Sequence, residues 1–541
     1  MREYNLQRLK KYFSDGSRLY YRCNHMMWRP SMQSPARSSG IFLCCLLLIV
    51  GAFVSTNLLD TSSQGSAGKL APQPILTTKT SHIYPHRNPQ FSKTPSHPIE
   101  IPLDCTAYNL TRTCPSNYPT SFHPEEDPDR PSPPTCPEYF RWIYEDLRPW
   151  AHTGITRDMV EGLRGKYNFR LVIVNGRAYV EKYHRSFQTR DVFTLWGILQ
   201  LLRRYPSQVP DLELMFDCLD IPAIKTSDYQ RPNASDPPPL FRYCGDDDTL
   251  NIIFPDWSFW GWPETNIKPW ESLMTDLKEG NKRMRWADRE PYAYWKGNPT
   301  VAVTREDLLK CNVSENMDWN ARLYVQDWKR EKVEGYKQSD LGSQCDHRYK
   351  IYIEGTAWSV SEKYILACDS VSLMVKPQYY DFFTRSLKPL HHYWPVRDDD
   401  KCRSIKFAVD WGNAHKKEAQ EIGKAASEFI QEELKMEYIY DYMFHLLNQY
   451  AKLLTFKPVI PTNAVELCSE SMACLSQRLM LEKKFLMESM VKGPVYTSPC
   501  TMPPPYDPPS LHTILQTKED LIKQVELWEK KFWENQNEQA N

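Results

Sequence analysis

The central part of the chain alternates short apolar runs with amphipathic segments. Two predicted strand segments, 171–174 and 177–183, flank Asn175-Gly176, a dipeptide typical of a type I′ hairpin turn. A short and mostly apolar run of four or five residues is typical of a buried strand. The other strands predicted in this way are Leu212–Phe216, 251–254, 350–353 and Val371–Val375.

Helical spacing of apolar residues appears between these strands. One helix begins near Thr189 or Asp191, where a polar side chain can cap it, and another is predicted over 360–368. After Trp411-Gly412, two apolar stripes at helical spacing are most simply the core faces of two helices. A charged helix is predicted over 517–535. Strands that alternate with helices indicate an α/β fold.

An apolar segment near the N-terminus predicts a membrane anchor. Residues 41–59 carry no charge, and about 20 residues span a bilayer core. A cleaved signal peptide is the alternative, although a basic region of some 40 residues is long for one. The basic residues before this segment outnumber Glu3 and Asp15 and predict a cytosolic N-terminus and a lumenal C-terminus. They are Arg2, Arg8, Lys10, Lys11, Arg18, Arg22, Arg29 and Arg37.

Composition separates a linker from the folded part. Residues 60–137 are rich in Ser, Thr and Pro and lack apolar periodicity, which predicts an extended, disordered lumenal stem. The 67 basic and 67 acidic residues cancel, so no overall field favours nucleic acid. The segment 458–541 is predicted to be a helical extension without assigned chemistry.

Cysteines and glycosylation sequons support a lumenal location. Of 15 cysteines, three lie in or before the apolar segment, which leaves an even number downstream that is compatible with disulfides. Their pairing cannot be derived from the sequence, and no Cys/His group has zinc-site spacing. The three sequons, which all follow the apolar segment, begin at Asn109, Asn233 and Asn312.

Two segments have residues suited to holding a diphosphate. Gly355 allows close backbone approach between a predicted strand and helix, and Ser359, Ser361 and Lys363 add hydroxyls and a charge. An ordinary turn is the alternative for this segment. Lys296 lies beside a Gly turn, with Arg305 shortly after, and these cations can neutralise a leaving group without metal. Solvated loop cations are the alternative.

Asp220 is the candidate general base. It follows a predicted buried strand in a loop that Pro222 constrains, and a positioned carboxylate there can take a proton from a hydroxyl. A turn or capping role is the alternative, and Asp217 is the nearest rival. The acidic runs 246–248 and 398–400 lack a preceding apolar strand, so we interpret them as solvated loops and predict no metal site.

Six motifs resemble, in order, those of the Rumi-like protein O-glucosyltransferases of glycosyltransferase family 90, which also includes fungal capsule-associated xylosyltransferases. The resemblance covers about residues 137–457. The residues of the Trp-Lys-Gly and Glu-Gly-Thr-Ala-Trp-Ser motifs are most similar to those of the plant branch. The motifs are the hairpin, Leu-Asp220-Ile-Pro, Phe-Pro-Asp-Trp-Ser-Phe-Trp, Trp-Lys-Gly, Tyr-Ile-Glu-Gly-Thr-Ala-Trp-Ser and Leu-Ala-Cys368-Asp-Ser.

The resemblance implies an inverting, metal-independent transferase without a cofactor, built from two Rossmann-like domains that face a cleft. Asp220 falls on the family's catalytic Asp, and Asn298 and Arg305 match donor-contacting positions. The segment matching the loop that holds the UDP-sugar consists of Thr356, Ala357, Trp358, Ser359 and Val360. Animal members have Arg at the positions of Leu219 and Ser361. The difference at Leu219 bears on which acceptor is used. The difference at Ser361 bears on how the diphosphate is neutralised.

The expected protein is a single-pass type II Golgi enzyme, with the endoplasmic reticulum as the alternative. It would transfer glucose or xylose from a UDP-sugar to a protein or glycan hydroxyl. A glycoside hydrolase and a non-catalytic lumenal binding protein are the competing hypotheses. The expected segments are a tail (1–40), an anchor (41–59), a stem (60–137), an acceptor-side domain (138–290), a donor domain (291–457) and the extension (458–541).

Overall fold

The computed structural model describes residues 100–115, 132–230, 235–474 and 480–540. The predicted anchor (41–59) and most of the predicted stem lie outside these residues. Within the described ranges, no helix is both long and apolar enough to cross a membrane. The anchor and the lumenal orientation therefore stay predictions.

The first sheet contains six strands in the order β11-β2-β1-β3-β4-β5. The hairpin prediction is confirmed: Val174 pairs with Arg177, and Asn175 and Gly176 have φ of 50° and 71°. These values suit a type I′ turn. The strands are β1 Phe169–Val174, β2 Arg177–Lys182, β3 Leu212–Phe216, β4 Leu240–Arg242, β5 Ile252–Ile253 and β11 Val465–Leu467.

This sheet is mixed, which corrects the expectation of a Rossmann-like first domain. β1 pairs antiparallel with both β2 and β3, and β11 is antiparallel to β2. Only β3, β4 and β5 run parallel. A two-residue turn can join only antiparallel neighbours, and this fixes the direction of β2 relative to β1.

The second sheet is parallel throughout, as expected for a Rossmann-like domain. Its order, β10-β9-β8-β6-β7, is a doubly wound order. Strand β7 is added on one side of β6 and the later strands on the other side, so the strand order reverses between β6 and β8. Ligands of such sheets bind outside the carboxyl ends of the strands at this switch point. The strands are β6 Glu290–Gly297, β7 Ala321–Val325, β8 His347–Tyr352, β9 Val371–Val375 and β10 Trp394–Val396.

Helices cover both sheets. The apolar stripes predicted after Trp411-Gly412 are buried, from Ala419 to Tyr450. The helices are α1 Cys105–Thr111, α2 Trp142–Leu147, α3 Arg157–Glu161, α4 Arg190–Arg204, α5 Thr226–Tyr229, α6 Trp270–Arg283, α7 Val303–Leu308, α8 Trp328–Val333, α9 Ser361–Leu366, α10 Lys401–Ala414, α11 Lys416–Glu428, α12 Met436–Leu453, α13 Ser469–Ala473, α14 Met480–Glu488 and α15 Pro508–Ala540.

The C-terminal segment is part of the fold rather than an appended extension. β11 joins the edge of the first sheet, and disulfides connect this segment to the described part of the predicted stem, which contains α1. Ten of the twelve downstream cysteines are paired, and Cys218 and Cys244 are buried thiols. The disulfides are Cys105–Cys474, Cys114–Cys468, Cys136–Cys500, Cys311–Cys402 and Cys345–Cys368.

The described sequons differ in their surroundings. Asn109 is exposed on α1, and Asn233 lies outside the described residues. Asn312 Nδ2 donates to the carbonyl of Leu323 (3.2 Å), and the Leu323 N–H donates to Asn312 Oδ1 (3.0 Å). The Asn312 amide thus closes the free edge of β7. Glycans at the three sites stay predictions.

Because Asn312 bonds the backbone of Leu323 and Asn109 is exposed, replacing each by alanine should change the free energy of unfolding unequally. Asn312→Ala leaves two backbone groups of Leu323 without partners and should lower the free energy of unfolding by about 1–2 kcal/mol. Asn109→Ala, at an exposed position, should change it by less than about 0.5 kcal/mol. Urea denaturation of protein from a host without N-glycosylation measures both, and equal effects would contradict the assignment of Asn312 to the strand edge.

Candidate active site

Asp220 lies beyond the carboxyl end of β3, with a partly exposed carboxylate. Its side chain is 30% exposed, and Arg190 Nη1 donates to its Oδ1 at 2.6 Å. Asp217, the rival from the sequence, is buried and paired with Arg242. Burial raises the pKa of Asp217, and its partner occupies the carboxylate. Of these two acids, only Asp220 can meet a substrate hydroxyl.

Arg190 is a site residue that the sequence analysis missed. It is the first residue of α4, between the two positions considered as caps. Its guanidinium lies between the rings of Trp257 (4.3 Å) and Phe187 (5.1 Å) and also donates to the carbonyl of Cys218 (3.0 Å). The one available signal was a charge at the start of an otherwise apolar helix. These contacts hold Arg190 against Asp220.

Arg305 joins the ends of β6 and β8 at the switch point. Its Nε donates to the carbonyl of Glu354 (2.8 Å), Nη2 to that of Ile353 (2.9 Å) and Nη1 to that of Asn298 (3.4 Å). These bonds use three of its five N–H groups, and its guanidinium pairs with no carboxylate of the described residues. Burial lowers the pKa of Arg305, and a bound anion would offset the cost of burying this charge.

The segment that follows β8, residues 355–361, is here called the donor loop. A Cβ on Gly355 would lie 3.6 Å from Arg305 Nη2, where it would occupy space beside the guanidinium. Ser359 Oγ and Ser361 Oγ share a hydrogen bond of 2.8 Å, and the Ser359 N–H donates to the hydroxyl of Tyr352 (3.2 Å). Thr356 is exposed, whereas Ala357 and Trp358 are buried.

The donor loop contacts the half of the protein that carries Asp220. Trp358 packs edge-on against Trp257 (6.2 Å), whose ring also contacts Arg190. Cys244 Sγ lies 3.0 Å from the carbonyl of Asp220 and also interacts with the backbone of Trp358. The donor loop thus contacts both the region of the candidate base and the candidate anion site at Arg305, an arrangement suited to moving a group from an anionic leaving group to a hydroxyl.

Comparison with known proteins gives the family. The model of glycosyl transferase family 90 matches residues 131–529, well over half of the chain. This chain belongs to glycosyl transferase family 90. It is a glycosyltransferase.

Its relatives include three proteins of similar identity. Protein O-glucosyltransferase 1 of Homo sapiens is 27% identical over 339 residues, 59% of this chain and 81% of that protein. O-glucosyltransferase rumi of Drosophila melanogaster is 24% identical over 342 residues, 60% and 80% of the two chains. O-glucosyltransferase rumi homolog of Aedes aegypti is 26% identical over 327 residues, 58% and 77%.

Two lysines predicted to face the diphosphate have protein partners in this glycosyltransferase. Lys363 Nζ is buried and donates to Asp256 Oδ2 (2.9 Å), Ser258 Oγ (2.8 Å) and the carbonyl of Val360 (3.3 Å). An ammonium has three N–H groups, so none is left for a ligand. A counter-charge role for Lys363 therefore does not fit its position.

Lys296 is bound by acceptors in and just after α8. Its Nζ donates to Glu331 Oε1 (3.3 Å) and to the carbonyl of Gln338 (2.5 Å). The Asn298 side chain is also engaged locally, because its Oδ1 accepts the N–H (3.0 Å) and the hydroxyl (2.9 Å) of Thr300. Lys296 and Lys363 each pair with a carboxylate, whereas Arg305 pairs with none in the described ranges and keeps two N–H groups for a ligand.

Three groups of side chains with metal-ligating atoms were candidates among the described residues, and members of each have other partners. Cys136, His445 and Cys500 approach one another, but the two cysteines form a disulfide. Asp246 Oδ1 accepts the N–H of Asp248 (3.1 Å) within its turn. In the second acidic run, Lys401 lies 3.0 Å from the carboxylate of Asp398, and Arg397 pairs with that of Asp399.

The buried carboxyl of Glu354 should make the free energy of unfolding depend on pH. Burial raises the pKa of its carboxyl from 4.5 to about 7, although the N–H groups of Gln378 (3.0 Å) and Tyr379 (2.8 Å) donate to it. Because the folded-state pKa is raised, the contribution of Glu354 to the free energy of unfolding is fully present below pH 4.5 and is lost as the pH rises through about 7.

Glu354→Gln should therefore gain stability relative to wild type between pH 5 and pH 8, by about 2–3 kcal/mol. Urea denaturation at both pH values measures the change. A difference between the two proteins that does not vary with pH would contradict the assignment.

Proposed function

We propose that this chain is an inverting, metal-independent O-glycosyltransferase that moves glucose or xylose from a UDP-sugar to a lumenal hydroxyl. The observation that carries the proposal is that Cys244 joins Asp220 to the donor loop, whose first residue, Gly355, borders Arg305. The names of the relatives, all O-glucosyltransferases, support transfer to oxygen. The acceptor is the protein or glycan that supplies this hydroxyl.

Asp220, Arg305 and Gly355 have roles in this reaction. Asp220 takes the proton of the acceptor hydroxyl while its oxygen attacks the anomeric carbon. The bond to the diphosphate breaks, and UDP leaves with the electron pair. Arg305 donates its two remaining N–H groups to the diphosphate, which lies over Gly355. A single displacement inverts the anomeric configuration.

The animal-type Arg at the position of Ser361 is replaced by a hydroxyl that bonds Ser359. We infer that the loop holds the diphosphate through Arg305, backbone N–H groups and hydroxyls from Thr356 to Ser361. A neutral loop of this kind binds a diphosphate less tightly than one with a second guanidinium.

The proposed location is the Golgi membrane, in type II orientation with the catalytic part in the lumen. Five disulfides support an oxidising compartment. The segment proposed to anchor the chain, 41–59, would precede the folded unit. Protection of the C-terminus from protease in sealed vesicles tests the orientation, and digestion there would overturn it.

The test of the function is UDP release by the full-length protein. A panel of UDP-sugars is offered with serine-containing peptides and with oligosaccharides, in the presence and absence of EDTA. We expect release from UDP-glucose or UDP-xylose that depends on one acceptor class and is unchanged by EDTA. Nuclear magnetic resonance of the product should show an inverted anomeric centre.

Three outcomes overturn parts of this proposal. Absence of UDP release with every donor favours a binding protein. Sugar release from an oligosaccharide without a nucleotide favours a hydrolase. Reversible loss of turnover with EDTA, restored by a divalent metal ion, would contradict metal independence.

A further inference from the structure

Lys363 lies in a buried contact between the two halves of the glycosyltransferase. The side chains of Lys363 and its partner Asp256 are each 3% exposed. Asp256 belongs to the segment 255–263 that follows β5, here called the aromatic loop. Lys363 also donates to the carbonyl of Val360 in the donor loop. One ammonium therefore joins the donor loop to the aromatic loop.

The aromatic loop in turn holds the proposed base. Asp256 caps the short helical turn that begins at Trp257. The ring of Trp257 lies 4.3 Å from the Arg190 guanidinium, which donates to Asp220 at 2.6 Å. A continuous set of contacts thus leads from Lys363 to Asp220.

We propose that Lys363 is a positioning residue that, through Asp256 and Trp257, sets the Arg190–Asp220 pair against the donor loop. This rests on the proposed function, because it takes Asp220 as the base. The distinction from a donor contact is measurable. Removing a counter-charge weakens nucleotide binding, whereas removing a positioning contact lowers turnover and leaves nucleotide binding unchanged.

The variant must remove both charges of the contact. Lys363→Met alone would leave Asp256 as a buried, unpaired carboxylate, and breaking a buried pair in this way destabilises the fold strongly. The double variant Lys363→Met/Asp256→Asn removes both charges. The amide oxygen of the new side chain can still accept the N–H that Asp256 caps.

A second buried pair provides the matched control. Arg170 Nη2 lies 2.5 Å from Glu213 Oε1, between β1 and β3, and both side chains are at most 5% exposed. No hydrogen bond or ion pair described for these two residues involves the aromatic loop or the donor loop. Arg170→Met/Glu213→Gln therefore disturbs a buried ion pair, and the contacts of Arg170 with Glu161 and Glu181, without disturbing the proposed path.

The experiment measures two quantities on full-length protein. Calorimetry gives the Kd for UDP, and UDP release at saturating donor gives kcat. We expect the Lys363 double variant to lose at least tenfold in kcat while its Kd for UDP stays within threefold of wild type. The Arg170 double variant should keep both values within threefold.

Each other result overturns a specific claim. A folded Lys363 double variant with wild-type kcat overturns the positioning role, and a tenfold weaker Kd assigns Lys363 to donor binding instead. Equal loss of kcat in both double variants attributes the effect to general destabilisation. Should the Lys363 double variant not fold, Trp257→Phe, which keeps both charges and changes the ring that lies 4.3 Å from Arg190, must show a threefold or larger loss of kcat with an unchanged Kd. Wild type without UDP release overturns the proposed function itself.

Discussion

Asp220→Asn should reduce sugar transfer at least a hundredfold while UDP binding stays within about twofold of wild type. A positioned carboxylate contributes about 10²–10⁴-fold as general base, and the amide keeps the shape and the hydrogen bond from Arg190 but removes basicity. The half of the site that binds the nucleotide is not altered. UDP release under saturating donor and calorimetry with UDP measure the two quantities.

Two further variants make this result specific. Asp228→Asn, at an exposed position on nearby α5, should have wild-type turnover. Asp217→Asn leaves Arg242 buried without its partner and should lower stability by about 3–5 kcal/mol, with turnover kept in the folded protein. If Asp220→Asn keeps more than about a tenth of wild-type turnover while folded Asp217→Asn is inactive, the base is not Asp220.

Arg305→Lys should weaken UDP binding by about ten- to a hundredfold. The substitution keeps a charge but removes the guanidinium fork, and a hydrogen bond to a charged group contributes about 1.5–3 kcal/mol. Lysine also cannot reach the carbonyls of Ile353, Glu354 and Asn298 together, so the donor loop loses support. Calorimetry with UDP on the folded variant measures the loss.

Lys296→Ala is the matched control for Arg305. The sequence alone predicts that it weakens binding as well, because a cation beside a Gly turn suits a diphosphate. In the fold its Nζ bonds Glu331 and Gln338, so we now expect a Kd for UDP within threefold of wild type. A tenfold loss with Lys296→Ala and none with Arg305→Lys would reverse the assignment of the two cations.

Local patterns predicted several elements with correct bounds. β3 and β9 match the predicted Leu212–Phe216 and Val371–Val375, and the Asn175-Gly176 turn has the expected positive φ at both residues. These features depend on neighbours within a few residues, through side-chain burial and turn geometry. The 33-residue helix α15 exceeded its predicted range, because a charged sequence gives little indication of where a helix ends.

Other elements depend on distant partners. β11 is three residues long and forms a strand because β2 offers an open edge. Helix α10 was not predicted. Its first turn is held by a distant partner, through the Cys311–Cys402 disulfide. The three disulfides that fasten residues 105–136 to 468–500 could not be paired from spacing, because their partners are more than 350 residues apart.

The sequence by itself determined the α/β character, the hairpin, the candidate base and the loop after β8, because each is a property of a continuous segment. Only the tertiary structure decided which charges are available to a ligand. Lys363, Lys296 and Arg305 are all cations near predicted turns, yet the two lysines are paired with carboxylates from other segments. Whether a charge is free depends on residues brought near it by folding, and their identity is absent from local sequence.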